Sequence, residues 1–166
     1  PDQPGWKWFS EGAGTYEIEP AEHQERGTKV VVALKETDKE FAREHRIETL
    51  IKRYSNFVPF PIELNGKVVN TVRALWTRNK SEIKEEEYNE FYHYIGHDLQ
   101  NPMLRLHFNA DAPLAIQALL FVPARNVEAL GFARAESEVN LYCRRILIEA
   151  RAKDLFPEWL RFLRGV

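Results

Sequence analysis

The apolar positions of residues 85–95 predict an amphipathic helix. Four large side chains recur at i, i+3, i+4 and i+7, the spacing of one stripe of an α-helix: Tyr88, Phe91, Tyr92 and Ile95. Glutamates fill positions 85–87, where negative charge meets the positive end of the helix dipole. We therefore expect the helix to begin at these glutamates and to place its apolar stripe against a core.

A short helical turn is predicted immediately before this helix. Asn79, followed three residues later by Glu82, has the spacing of a capping box. Such a turn places Trp76 at an entry corner, where core packing is the ordinary role of a large ring. If the ring is exposed there, it offers an amphipathic anchor of the kind enriched in binding hot spots.

The aromatic and glycine residues before position 20 predict a β-hairpin. Trp6 and Trp8 precede Gly12 and Gly14, and residues 15–19 then alternate polar and apolar side chains as a half-buried strand does. The two glycines supply the positive φ that a tight turn needs.

A β-branched run at residues 28–35 predicts a strand buried on both faces, near the centre of a sheet. Thr37 and Glu40 then have capping-box spacing, and the apolar spacing that follows predicts a helix of about four turns ending near Ser55. These elements bury too few large side chains to offset the entropy of ordering about sixty residues. We therefore expect residues 1–64 to be the tail of a larger domain.

Two prolines restrict the segment after this helix. Pro59 and Pro61 allow only an edge strand or an extended segment through residues 57–64. Asn65-Gly66 is a hairpin dipeptide, after which the chain resumes as a strand. Residues 65–72 are therefore predicted to be a short linker.

The second part of the chain predicts a small sheet covered by helices. Alternation and turn residues indicate strands at residues 104–108, 115–122 and 139–148, and a weak helix at residues 126–132. Helices on a small sheet form a layered domain, so the predicted fold class is α/β, of the α+β kind.

Composition changes this picture little. The formal net charge of −2 gives no reason to expect nucleic acid or an anionic membrane as a partner. No apolar run approaches the ~20 residues that span a bilayer. Cys143 is the single cysteine, which excludes an intrachain disulfide, and its place in a predicted strand favours a buried small hydrophobe. We read the protein as intracellular.

The sequence gives only a weak signal for catalytic residues. His93 and His97 stand four apart on the predicted helix, a spacing that can place two imidazoles on one metal, with Asp98 beside them. Tyr94 stands where a helical zinc hydrolase has its glutamate base, so a polar helix face is the favoured interpretation. Arg144 and Arg145 are read as the solvated or ion-paired face of a strand.

The run at residues 74–83, Ala-Leu-Trp-Thr-Arg-Asn-Lys-Ser-Glu-Ile, resembles the start of the middle domain of the heat-shock protein 90 chaperones. Glutamate and aromatic positions in residues 86–92 extend the likeness. Further matching stretches lie at residues 26–29, 52–57, 119–123, 141–145 and 159–166. The chain is identified as resembling a part of such a chaperone, with residues 1–64 at the end of the N-terminal ATP-binding domain and residues 73–166 as the first part of the middle domain.

The resemblance implies ATP and Mg²⁺ as cofactors of the parent protein, an ATPase. It assigns Thr28 to the base of the nucleotide pocket, beside the adenine ring. The other nucleotide-binding and catalytic residues of the family lie outside the matched segment. We therefore expect this chain alone to bind no cofactor and not to hydrolyse ATP.

The resemblance also implies that unfolded or partly folded client polypeptides are the partners. It assigns client contact to Trp76, Leu130 and Phe132, and a homodimer in the parent through a C-terminal domain. The short linker resembles bacterial or mitochondrial members, so the bacterial cytoplasm or the mitochondrial matrix is expected. A self-contained α/β interaction module without nucleotide chemistry is the alternative.

Overall fold

The computed structural model describes residues 5–22, 26–125 and 137–166. The chain divides into two compact units, residues 1–37 and residues 38–166. Helices and strands are mixed, which confirms the predicted α/β class.

The first unit contains the predicted hairpin. Strand β1 (Gly5–Phe9) pairs antiparallel with β2 (Glu17–Ala21). In the connection, Gly12 has a φ of 81° and Gly14 a φ of 86°, the left-handed region in which glycine is favoured. The Ser10 hydroxyl donates to the Thr15 carbonyl at 2.6 Å, which ties the two strand ends together.

The predicted central strand at residues 28–35 is wrong. These residues have no regular secondary structure, and Val30, Val31 and Val32 are between 70% and 80% exposed. No residue in the described part of the chain pairs with this run. β-branched composition favours a strand only where neighbouring strands supply hydrogen bonds and packing, and here none do.

A 3₁₀ helix, Glu36–Ala42, is followed by helix α1 (Glu44–Tyr54). The predicted end is confirmed, because the Ser55 N–H donates to the Ile51 carbonyl at 2.8 Å. The predicted start at Thr37 is replaced by the 3₁₀ segment.

The predicted Asn65-Gly66 turn joins β3 (Glu63–Leu64) to β4 (Lys67–Val68). Both turn residues have positive φ, 51° and 79°. The strands are shorter than predicted.

Short 3₁₀ helices at Leu75–Thr77 and Lys80–Glu82 precede helix α2 (Glu85–Gly96). The Asn79 side chain accepts from the Ser81 N–H at 3.2 Å, as a capping residue does. The predicted stripe faces the core, with Tyr88, Phe91 and Tyr92 at most 5% exposed. The helix predicted from periodicity is confirmed.

Strands β5 (Leu104–Ala110) and β6 (Ile116–Val122) form the predicted antiparallel hairpin, with Leu106 opposite Leu120 and His107 opposite Leu119.

The single strand predicted at residues 139–148 is wrong. The chain instead forms β7 (Glu138–Val139), β8 (Leu141–Cys143) and β9 (Ile146–Glu149), with β8 and β9 paired as a hairpin. Arg144 and Arg145 are its turn, at φ 48° and 67°, and not a strand face. Cys143 adjoins this turn and is exposed, so its predicted burial is also wrong.

A last strand, β10 (Arg164–Gly165), was not predicted and lies inside the main sheet, whose order is β5-β6-β10-β7. It pairs antiparallel with β6 and parallel with β7. The Arg164 guanidinium donates to the Gly96 carbonyl and pairs with Asp98 at 3.2 Å and with Glu138 at 2.7 Å. The strand therefore ties the end of α2 to the sheet.

Candidate functional site

The predicted corner residue Trp76 lies in a cluster of aromatic rings. We call this the Trp76 cluster: Trp76, Phe57, Phe91 and Tyr142. The Trp76 ring centroid is 4.8 Å from that of Phe57, 5.2 Å from that of Tyr142 and 5.9 Å from that of Phe91. Edge-to-face and tilted contacts of this kind are the favoured geometries of aromatic pairs. The cluster joins the segment after α1, the helix α2 and the strand β8.

Trp76 itself is buried, with 5% of its surface exposed. The condition attached to its predicted role, an exposed ring, is therefore not met in the described structure. Contact between Trp76 and a client polypeptide stays a prediction, and the observed role of the ring is packing.

A buried histidine holds the backbone of Trp76 in place. His107 is 6% exposed, its Nε2 lies 3.2 Å from the Trp76 carbonyl oxygen and its Nδ1 lies 2.8 Å from the Tyr88 hydroxyl. Because a carbonyl oxygen only accepts, Nε2 carries the proton, and the neutral ring accepts from Tyr88 through Nδ1. Burial lowers the pKa of His107 below its usual value, against the opposing effect of the Trp76 carbonyl.

His107 is not among the site residues predicted from the sequence. The available signal was the alternation of residues 104–108, which assigns position 107 to one face of its strand. Its partners, Trp76 and Tyr88, are 31 and 19 residues away in the sequence, so the hydrogen bonds themselves had no local signal.

An open groove of about 400 Å³ lies beside the Trp76 cluster. We call it the arginine groove; it is lined by residues 57–61, 70–74, 77 and 78 and by Arg145. The Asn70 side chain fastens one wall, because it accepts from the Ile62 N–H at 2.6 Å and donates to the Phe60 carbonyl at 2.9 Å. The wall is thereby fixed by hydrogen bonds within the chain.

Three arginines give the groove its charge: Arg73, Arg78 and Arg145. Arg78 pairs with Glu87 at 2.6 Å. The pKa of Glu87 is lowered mainly because its carboxylate accepts a hydrogen bond from the Lys84 N–H, and also because it pairs with Arg78. Arg145 donates to the Thr77 hydroxyl at 3.1 Å. In the described part of the chain, neither Arg73 nor Arg145 has an ion-pair partner.

Thr28, the predicted nucleotide contact, belongs to the first compact unit. It is exposed and lies in the stretch without secondary structure. Thr28 does not line the arginine groove. Its role at the adenine ring stays a prediction.

The comparison with protein families decides what kind of chain this is. The model of the family described as "Hsp90 protein" matches residues 64–166, more than half of the chain.

The chain belongs to the Hsp90 family.

Curated relatives agree with this assignment over the full chain. Chaperone protein HtpG of Desulfotalea psychrophila is 56% identical over 162 residues, which are 98% of this chain and 26% of the relative. The mitochondrial TNF receptor-associated protein 1 homolog of Dictyostelium discoideum is 43% identical, over 100% of this chain and 23% of its own length. Mitochondrial heat shock protein 75 kDa of Rattus norvegicus is 41% identical, over 100% of this chain and 24% of its own length. This Hsp90-family chain thus spans about a quarter of the length of the relatives it matches.

The remaining candidate residues of this Hsp90-family chain are Leu130, Phe132, His93 and His97. Leu130 and Phe132, predicted to contact clients, lie outside the described residues, as does the weak helix at 126–132. His97 is the left-handed residue that ends α2, with a φ of 49°. Within residues 5–22, 26–125 and 137–166, no group of three or more metal-ligating side chains is assembled. The same ranges contain no helix long and apolar enough to cross a bilayer.

Proposed function

We propose that this chain is part of an ATP-dependent molecular chaperone that binds unfolded or partly folded client polypeptides. The observation that carries the proposal is the 56% identity to a chaperone protein HtpG across 98% of the chain. Membership of the Hsp90 family supports the same conclusion.

The proposed domain organisation has residues 1–64 at the end of an N-terminal ATP-binding domain, residues 65–72 as a linker and residues 73–166 as the start of a middle domain. The family match begins at residue 64, which supports a boundary there. The division into compact units instead falls after residue 37, and Phe57 packs in the core of the second unit.

ATP and Mg²⁺ are proposed as cofactors of the longer protein, with Thr28 as one contact to the adenine ring. The described residues of this chain do not fit Mg²⁺·ATP by themselves. Thr28 is exposed, and no described cluster of carboxylates or histidines is arranged for a metal. ATP hydrolysis is therefore assigned to the longer protein and not to these residues.

Client polypeptides and a homodimer are proposed as the partners of the longer protein, with Trp76, Leu130 and Phe132 as client contacts. The proposed location is the bacterial cytoplasm or the mitochondrial matrix. Support comes from the relatives, which include bacterial HtpG proteins and proteins named as mitochondrial.

Suppression of client aggregation tests this function. A heat-denatured model enzyme is followed by light scattering with the longer protein that contains this chain, with and without ATP. We expect scattering to fall, and the recovery of active enzyme to require ATP. Equal scattering with the longer protein and with serum albumin would refute the proposal.

A further inference from the structure

The described lining of the arginine groove includes neither Thr28, proposed to contact the nucleotide, nor Trp76, proposed to contact clients. Its lining contains three arginines and no aspartate or glutamate. Glu87 pairs with Arg78 and also interacts with the charge of Arg73, whereas Arg145 has no acidic partner in the described part of the chain. Clefts lined by one sign of charge concentrate ligands of the opposite sign. The charge of this groove therefore selects an anion.

Most of the remaining lining is apolar; Asn70, Thr71 and Thr77 are its polar members. Phe57 forms part of the buried floor, Val58 is half-buried, and Phe60 in the wall is 61% exposed. An isolated phosphate or carboxylate would leave this apolar surface in water. A ligand with an apolar side chain next to its negative charge would cover both features.

The backbone of the groove is also available for recognition. Residues 70–74 are neither helix nor strand, and the N–H groups of Thr71 and Arg73 form no hydrogen bond with described residues. An extended peptide can pair with such a backbone and place its side chains into neighbouring pockets. The opposite wall is held by Asn70, so little of the groove needs to be ordered on binding.

We propose that the arginine groove binds an extended peptide in which acidic residues stand next to apolar ones. Carboxylates of the peptide pair with Arg145 and Arg73, and its apolar side chains contact Phe60 and Val58. The inference rests on the proposed function only in taking the peptide to be part of a client. The groove binds without nucleotide.

Fluorescence anisotropy with the 166-residue chain tests the proposal at low ionic strength and without ATP. The probe is a fluorescein-labelled peptide, Gly-Ser-Asp-Phe-Asp-Leu-Asp-Phe-Ser-Gly. Two control peptides have lysine in place of aspartate, or serine in place of phenylalanine and leucine. We expect the probe to bind and both control peptides to bind at least about 5-fold more weakly, since each loses about 1 kcal/mol or more of contact energy.

Matched variants locate the site. Arg145→Ala and Arg73→Ala should each weaken binding about 5-fold, because each removes one partly exposed charge pair. Phe60→Ser should weaken it similarly. Arg144→Ala is the control: it removes the same charge from the neighbouring turn position, which does not line the groove, and it should leave affinity within about twofold.

Three results would overturn the proposal. Equal weakening by Arg144→Ala and Arg145→Ala would mean non-specific attraction to the turn. Equal binding of the serine-substituted peptide would mean a simple anion site. Full binding by Arg73→Ala and Phe60→Ser, both at exposed positions where folding is not at stake, would place the peptide elsewhere. Because ATP is absent throughout, a failure of the chaperone function in the longer protein would leave these results unchanged.

Discussion

Replacing His107 by alanine tests the hydrogen bonds that hold the Trp76 cluster to α2 and the sheet. The imidazole is 6% exposed and serves two buried partners, the Trp76 carbonyl and the Tyr88 hydroxyl. His107→Ala leaves both without a partner.

The expected loss of stability follows from these two groups. A buried polar group that loses its partner costs about 1–3 kcal/mol. Truncating the buried ring adds a packing loss, and relaxation or water entry recovers part of the total. We therefore expect His107→Ala to lower the free energy of unfolding by about 2–4 kcal/mol, a large share of the ~5–15 kcal/mol of a typical domain.

Urea unfolding followed by tryptophan fluorescence measures this loss. Trp76 is 5% exposed, whereas Trp6, Trp8 and Trp159 are between 64% and 69% exposed. The red shift on unfolding therefore reports mainly on Trp76 and its surroundings.

The matched control is Asn109→Ala, two residues along the same strand and on the same face, but exposed. It should change stability by less than ~0.5 kcal/mol. If His107→Ala and Asn109→Ala cost the same, the hydrogen bonds of His107 do not stabilise the fold, and the argument from burial is wrong.

Three further changes have defined outcomes. Folding lowers the pKa of His107 below 6.5, so the unfolded state binds more protons below that pH. The contribution of His107 to stability should therefore be complete above pH 6.5 and be lost as the pH falls through that value. In urea titrations at successive pH values, His107→Asn should flatten this slope. Gly165→Ala would place a Cβ 2.1 Å from the Leu119 carbonyl oxygen at a φ of 142°, so we expect the free energy of unfolding in urea to fall by at least about 3 kcal/mol. Gly66→Ala, with open space around it, should lower it only by the ~1–3 kcal/mol that a positive φ costs a residue with a side chain. Equal losses would contradict the steric argument. Arg164→Ala should cost about 2–4 kcal/mol in thermal or urea unfolding, because the carbonyl of buried Gly96 and the partly buried carboxylates of Asp98 and Glu138 lose their donor. A change below ~0.5 kcal/mol would refute that role.

Elements with a local signal were predictable from the sequence. The stripe from Tyr88 to Ile95 defined α2, and the Asn65-Gly66 dipeptide defined its hairpin, because periodicity and turn chemistry act over a few residues. The β-branched run at 28–35 failed for the opposite reason: a strand depends on partners that its own sequence does not contain. The family itself was recognisable from residues 74–83.

The turn at Arg144 and Arg145 shows a second limit of predicting structure from the sequence. Neither residue is favoured at positive φ, so nothing local separated a hairpin from one long strand. Strand β10 is two residues long and pairs with strands more than twenty residues away. The arginine groove combines three distant segments, and its position could come only from the tertiary structure.

The most direct measurement of the central proposal is calorimetric titration with Mg²⁺·ATP. It compares this chain with a longer protein that continues upstream through the nucleotide-binding motifs of the family. We predict that the longer protein binds ATP and that the 166-residue chain does not, because Thr28 supplies one contact of a larger pocket. ATP binding by the 166-residue chain alone would contradict the proposed division of the nucleotide site.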